Sequence, residues 1–158
     1  MFRYERTIEV NDDPEAPQLT RHDVWLGLMK KAANALPFVP AMEKCELVEQ
    51  GEGWLVRDIY LFGEELTERV TFEPERLVTF VRTKGRVPGV IINEILGEDD
   101  DLRLKFGFEL SAEGIEEGSE AEAEYLAPTI PAYDGAVAST LAAMRRLVAE
   151  QGREALTS

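Results

Sequence analysis

Apolar and polar positions alternate at period two over most of this chain, and at helical spacing in two places. In FRYERTIEV (2–10), Phe2, Tyr4, Ile8 and Val10 fall on one side with Arg6 among them, while Arg3, Glu5, Thr7 and Glu9 fall opposite. That is strand patterning. NDDPEAPQ reads as a loop. Thr20 then suits an N-cap and Asp23 the first turn of a helix running to about Asn34, with Val24, Leu28 and Ala32 at four-residue spacing and Trp25 and Met29 beside them. After LPFVP breaks the helix, AMEKCELVEQ, WLVRDIYLF, ELTERVTFE, RLVTFVRT, VIINEIL and LRLKFGFELS carry strand signals separated by GEG, GE, PE, KGRVPG and GEDDD. Connections of hairpin size predict an antiparallel meander. The last of these strands alternates cleanly, with Leu102, Leu104, Phe106, Phe108 and Leu110 on one face.

Beyond an acidic stretch expected to fray over 113–124, Ile130, Tyr133, Val137, Leu141, Met144 and Val148 recur at threes and fours, forming the apolar stripe of a long helix. Pro128 and Pro131 predict a kink or a restart in it, because proline removes a donor and clashes one turn back. Seven antiparallel strands with one apolar face need a cover, and this helix is the large candidate. The expectation is an α+β helix-grip fold over residues 1–158, a seven-stranded curved antiparallel sheet wrapped around the C-terminal helix.

Charge narrows the partners. With 17 Lys and Arg against 31 Asp and Glu, the formal net charge is −14. This argues against binding nucleic acid through phosphates and against an anionic membrane surface. One cysteine, Cys45, excludes an internal disulfide and fits a reducing compartment. No apolar stretch approaches the roughly 20 residues of a membrane span, and the alternating N-terminus lacks the apolar centre of a signal peptide. A cytoplasmic location is expected, with the oligomeric state open.

Standard catalytic signatures are missing: no glycine-rich phosphate loop, no Gly-x-Ser-x-Gly elbow, no zinc spacing. His22 and Cys45 are the sole histidine and cysteine, and His22 belongs to the first turn of a solvent-facing helix, so no Cys–His dyad is expected. The acidic run 98–101 lacks the spaced ligands and glycine of a calcium loop and reads as a solvated hairpin tip. Neither a metal nor a cofactor is expected.

Charges on faces that should point inward are more informative. With Pro74-Glu75 as a two-residue turn, Phe72 faces Leu77, Val70 faces Thr79, and Glu68 shares the inner face with Leu66, Val70 and Phe72. With Gly63-Glu64 as another, Ile59 faces Glu68 and Arg57 lies diagonal to it, while Asp58 and Arg69 pair on the other face. A symmetric hairpin at 97–101 puts Glu94 beside Leu104, and Arg6 joins from the first strand. Arg6 and Arg57 with Glu68 and Glu94 then line one apolar concavity. A lone buried charge costs several kcal/mol (roughly, from the cost of desolvating an ion), so each needs a partner, water or a ligand. Balanced internal salt bridges are one reading and a polar floor that orients a ligand is the other. A one-residue bulge would invert any of these faces. Trp25, Trp54, Phe38, Phe106, Phe108 and Tyr133 read as core or pocket lining, and the Tyr133 hydroxyl needs a partner just after the proline pair.

The element order resembles the START-like (SRPBCC) superfamily, which includes polyketide cyclases, lipid-transfer domains and the birch-pollen allergen. More narrowly, RTIEVND, LTRHDVWLGLMKKA, FVPAMEKCELVE, ERVTFEPERLVTFVRT and GVIINEI resemble the AtaL-like family, from Phe2 to about Arg146. The resemblance implies a hydrophobic cavity between sheet and long helix and carries over no catalytic residue. The expected function is small-molecule binding: an apolar, lipid- or polyketide-like ligand whose polar end meets Arg6, Arg57, Glu68 and Glu94, with Phe106 and Tyr133 in the wall. An enzyme of cyclase or aromatase type using Glu68 or Glu94 as general base is the alternative, and a protein-interaction module is the third.

Overall fold

A computed structural model describes residues 2–39, 42–61, 63–84, 88–110, 115–116 and 118–152. Among them run β1 (Phe2–Glu9), α1 (Arg21–Ala33), β2 (Met42–Gly51), β3 (Trp54–Leu61), β4 (Glu64–Glu73), β5 (Leu77–Lys84), β6 (Gly89–Leu96), β7 (Arg103–Leu110) and α2 (Glu120–Gln151). The strands form one antiparallel sheet in the order β1-β7-β6-β5-β4-β3-β2. A meander from β2 to β7 is closed by β1, which pairs with β7 from Phe2↔Leu110 to Glu9↔Arg103. With α2 against its inner face this is the helix-grip arrangement.

The two helices form for different reasons. Thr20 and Asp23 make a reciprocal capping box at the start of α1, and Lys30 and Lys31 occupy its last turn, where cations suit the helix dipole. Arg21 donates through its guanidinium to the Glu75 and Gly97 carbonyls at 2.6 Å each, and its backbone N–H donates to Asp99 Oδ1 at 2.8 Å. The start of α1 is thereby tied to the tips of two hairpins, one of them the acidic run 98–101. A Cβ on Gly27 would stand 2.7 Å from the Met144 methyl, so glycine there lets α1 lie against α2.

The helix α2 does not restart at its prolines. It begins at Glu120, capped by Ser119, and continues through Pro128 and Pro131 to Gln151. Each proline frees the carbonyl one turn back, on Glu124 and Ala127, and both residues are exposed, so water can meet those groups. The part of the acidic stretch from Glu120 onward is thus helix, while 111–114 and 117 lie outside the described residues. Val137, Leu141 and Met144 are buried as the stripe predicts.

Three hairpins depart from the predicted registers. Between β3 and β4 the pairs are Leu61↔Glu64, Ile59↔Leu66 and Arg57↔Glu68. The turn comes one position early, which moves each partner by two and leaves the faces unchanged. Between β4 and β5 the Arg76 N–H donates to the Glu73 carbonyl at 3.0 Å around Pro74 and a left-handed Glu75, φ 64°. The connection thus takes three residues, and Phe72 pairs with Val78 and Val70 with Phe80. One extra residue inverts β5, so Val78 and Phe80 face inward rather than Leu77 and Thr79. Between β6 and β7 the loop takes 97–102, so Asn93 pairs with Phe106, Ile95 with Leu104 and Glu94 with Lys105. Here too one residue inverts the strand.

Gly97 sets that last register. Its φ is +80°, and a Cβ there would collide with the Asp101 carbonyl oxygen. Gly97→Ala is expected to cost about 2 kcal/mol through strain and clash together. A chemical denaturation midpoint matching the wild type would contradict this account.

Candidate functional site

Residues of β2 to β7, the last turn of α1 and the middle of α2 line a partly open cavity of about 270 Å³. Its apolar wall includes Met42, Ile59, Leu61, Phe80, Ile91 and Phe106. Where α2 crosses, the lining is small: Ala132, Gly135, Ala136 and Ser139. Lys31, Arg57, Glu68, Arg82 and Asn93 supply the polar part.

Glu68 is the centre of that polar part and is only 1% exposed. Its Oε1 accepts from Arg57 Nη2 at 2.8 Å and Nε at 3.1 Å, and its Oε2 faces Arg82 Nε at 3.4 Å. The two oxygens are thus divided between guanidiniums from the strands on either side. The other Arg57 nitrogen, Nη1, donates to the Lys31 and Ala32 carbonyls at 3.2 and 3.1 Å. These lie in the last turn of α1, where helical carbonyls lack partners, so Arg57 closes the helix end while holding Glu68. Its guanidinium also stacks over Phe80, 5.0 Å from the ring centroid. Buried ion pairs contribute little net stability unless such extra bonds satisfy them.

Lys31 reaches the same cavity from α1. Its Nζ donates to Asn93 Oδ1 at 2.9 Å and lies 5.2 Å from the centroids of both Phe80 and Phe106. Burial, with Arg57 as a second cation nearby, pulls its pKa down from 10.5 to about 7, against a smaller opposing pull from Glu68. Asn93 is fully buried, and its Nδ2 has no hydrogen-bond partner among the described residues. An unfulfilled donor in such a place marks where a bound group would be welcome.

Of the residues anticipated from the sequence, the structure brings Arg57, Glu68 and Phe106 to the cavity. Arg6 lies on the anticipated face, opposite Phe106, yet at the rim of the sheet. It is half exposed there and pairs with Asp134 of α2 at 3.2 Å, beside a 2.7 Å hydrogen bond from Tyr4 to the same carboxylate. Arg6 therefore ties helix to sheet edge rather than lining the cavity. Glu94 faces out, because of the inverted register, and pairs with Arg76 at 3.2 Å. Asn93 takes the inward place. Tyr133 belongs to α2, but its side chain is outside the described residues. The Asp58–Arg69 pair does not form: Asp58 accepts from Thr67 at 2.8 Å, and Arg69 stacks 4.8 Å over Trp54. Away from the cavity, His22 pairs with Glu75 at 2.6 Å.

Arg82, Lys31 and Asn93 are the polar cavity residues that sequence reasoning missed. Lys31 carried a signal, since it stands seven residues after Val24 on the buried stripe of α1. Asn93 and Arg82 had none that survives a one-residue shift of register.

Among known proteins, the fold is widely shared. Zhui aromatase/cyclase from Streptomyces sp. R1128 superposes with a TM-score of 0.71 at 21% identity, covering 93% of this chain and 95% of that one. The di-domain aromatase/cyclase StfQ from the steffimycin biosynthetic pathway gives 0.68 at 9% identity, covering 94% of this chain and 51% of that one. Ara h 8.0201 gives 0.59 at 11% identity, covering 95% and 99%. At these identities the likeness is one of fold, the START-like one. No curated protein sequence matches the chain. The family model described as AtaL, Acetylaranotin biosynthesis cluster protein L, matches residues 4–151. Its span runs from β1 to the end of α2 and takes in every described residue of the cavity, and the chain belongs to the AtaL family.

Proposed function

We propose that this chain is a small-molecule binding protein, holding an apolar, lipid- or polyketide-like ligand by a polar end in the cavity between sheet and α2. One observation carries the reading: an apolar wall closes on a buried polar floor that keeps an unused donor, Asn93 Nδ2. A floor built for stability alone would satisfy its own groups, since each unmet buried donor costs about 1–3 kcal/mol. Arg57 and Glu68 hold the floor in place; Lys31, Arg82 and Asn93 are the groups a polar end would meet; Phe106 and Phe80 supply contact area. The names of the relatives, aromatase/cyclases and a biosynthesis cluster protein, support a small-molecule ligand.

Aromatase/cyclase-type catalysis is the second reading, favoured by the same crowding of charge around one cavity. Within it Glu94 cannot act as the base, because it faces out. Both oxygens of Glu68 lie against guanidiniums, which suits positioning better than proton abstraction.

Gly135 offers a direct test. It lines the cavity from α2, and a Cβ on it would meet nothing within 4 Å. Gly135→Leu should fill the cavity and, by replacing a helical glycine, hold or raise stability by up to about 1 kcal/mol. Native mass spectrometry of freshly purified protein is expected to show a retained apolar ligand in the wild type and none in Gly135→Leu. Saturable binding of an apolar naphthalene dye should vanish in parallel. Dye binding that is absent in the wild type, or equal in the two proteins, counts against the cavity as a ligand site.

A further inference from the structure

We propose that Lys31 is a nucleophile, forming an imine with the carbonyl carbon of an apolar ketone or aldehyde held in the cavity. The inference rests on the cavity being a ligand site and assigns the chemical class of the ligand's polar end. Neither Lys31 nor its neighbours follow a catalytic signature in the sequence.

An amine attacks a carbonyl only when its nitrogen carries no extra proton and reaches the ligand. The position of Lys31 meets these needs. Its Nζ lies in the cavity wall between the rings of Phe80 and Phe106. No carboxylate of the described residues comes within ion-pair distance of it, and its hydrogen bond goes to a neutral amide oxygen, that of Asn93. Charged groups face it from three strands: Arg57 of β3, Glu68 of β4 and Arg82 of β5. From β6 comes Asn93, from β7 Phe106, and from α2 the uncharged lining of Ala132, Gly135, Ala136 and Ser139. Glu68 favours the ammonium but is engaged by both guanidiniums. The aromatic faces also favour a cation, by about 0.5–2 kcal/mol. Burial and Arg57 outweigh both, so its pKa falls to about 7 and about half of the amine is free to react at neutral pH.

Asn93 completes the site. Its Oδ1 orients the amine while its Nδ2, without a partner among the described residues, is placed to donate to the carbonyl oxygen as charge develops there. The nitrogen lone pair forms the C–N bond as the carbonyl π bond opens, giving a carbinolamine. One amine proton has by then passed to the carbonyl oxygen, and the hydroxyl so formed departs with the remaining amine proton as water, leaving C=N. Atoms and electrons balance without oxidant or reductant.

The test uses the full chain, 2-naphthaldehyde as probe and cyanoborohydride to reduce any imine to a stable secondary amine, followed by peptide mapping. Lys31 should be labelled at pH 7 roughly tenfold or more faster than its neighbour Lys30. Its labelling rate should level off above pH 8, where little of its ammonium remains. Lys31→Arg, which cannot form the imine, should lose this fast label. Dye binding with Lys31 labelled no faster than Lys30 overturns the imine and leaves the cavity reading intact. Failure of the wild type to bind the dye overturns the cavity reading, and the imine with it.

Discussion

Glu68→Gln should destabilise the fold by roughly 3–5 kcal/mol, the cost of leaving buried charge uncompensated, and lower the melting temperature by about 10 °C for a chain of this size. Glutamine keeps an oxygen for one guanidinium but turns an amide toward the other. Arg57 and Arg82 are 4% and 8% exposed, so neither can reach water for compensation. The loss should spread to α1, because Arg57 leans on Glu68 while it holds the Lys31 and Ala32 carbonyls. Thermal unfolding by circular dichroism checks the size of the effect. A shift of under about 2 °C would show that the charges are solvated, and the floor would then be neither dry nor rigid.

A second substitution separates stability from function. Replacing Arg57, Glu68 and Arg82 together by Leu, Leu and Met removes the charges and fills their space with apolar groups. Such replacements are often neutral or stabilising, because the desolvation cost disappears along with the attraction. The triple variant is expected to regain most of the stability lost in Glu68→Gln while losing retention of a ligand with a polar end. Cavities that exist only to be packed gain nothing from so expensive a floor. Equal ligand retention by the triple variant and the wild type would reduce the charges to a fold-specificity device.

Periodicity carried the fold. The alternation in β1 and β7, the Thr20/Asp23 cap and the i, i+4 stripe of α2 are local signals, repeated often enough that one lapse does no harm. The site was less legible, for a geometric reason. Faces in a strand reverse with every residue, so an inward charge is known only as well as the turn that precedes it. For β3 and β4 the misplaced turn shifted the pairing by an even step, and Arg57 and Glu68 kept their face. At Pro74-Glu75-Arg76 and at 97–102 the shift was odd. Arg82 was thereby hidden and Glu94 put in the place of Asn93. Glu75 explains the first miss: a left-handed glutamate is uncommon, and Arg21 and His22 of α1 hold it there through bonds far apart in sequence.

Lys31→Met should raise stability at pH 6 relative to wild type by up to several kcal/mol, and that advantage should fade as the pH approaches 10. The direction follows from proton counting. Between about 7, its pKa in the folded chain, and 10.5, its ordinary value, the unfolded chain binds a proton at Lys31 that the folded chain does not. Stability of the wild type therefore climbs with pH through that window. Below about 7 both states hold the proton and the full cost of burying an ammonium is present; above 10.5 neither does, and the cost is gone. A shift of this size corresponds to an effect on the order of 4–5 kcal/mol at 1.36 kcal/mol per pH unit, from which the lost bond to Asn93 must be subtracted in the variant. Methionine has no titration here, so the wild-type-minus-variant difference isolates Lys31 from other groups that titrate over the same range. Denaturation midpoints measured in parallel from pH 6 to 10 would give the curve. A difference independent of pH would mean that Lys31 stays charged in the folded chain. The same result would remove the free amine on which imine formation depends, so one stability experiment bears on the chemistry of the cavity without any ligand in hand.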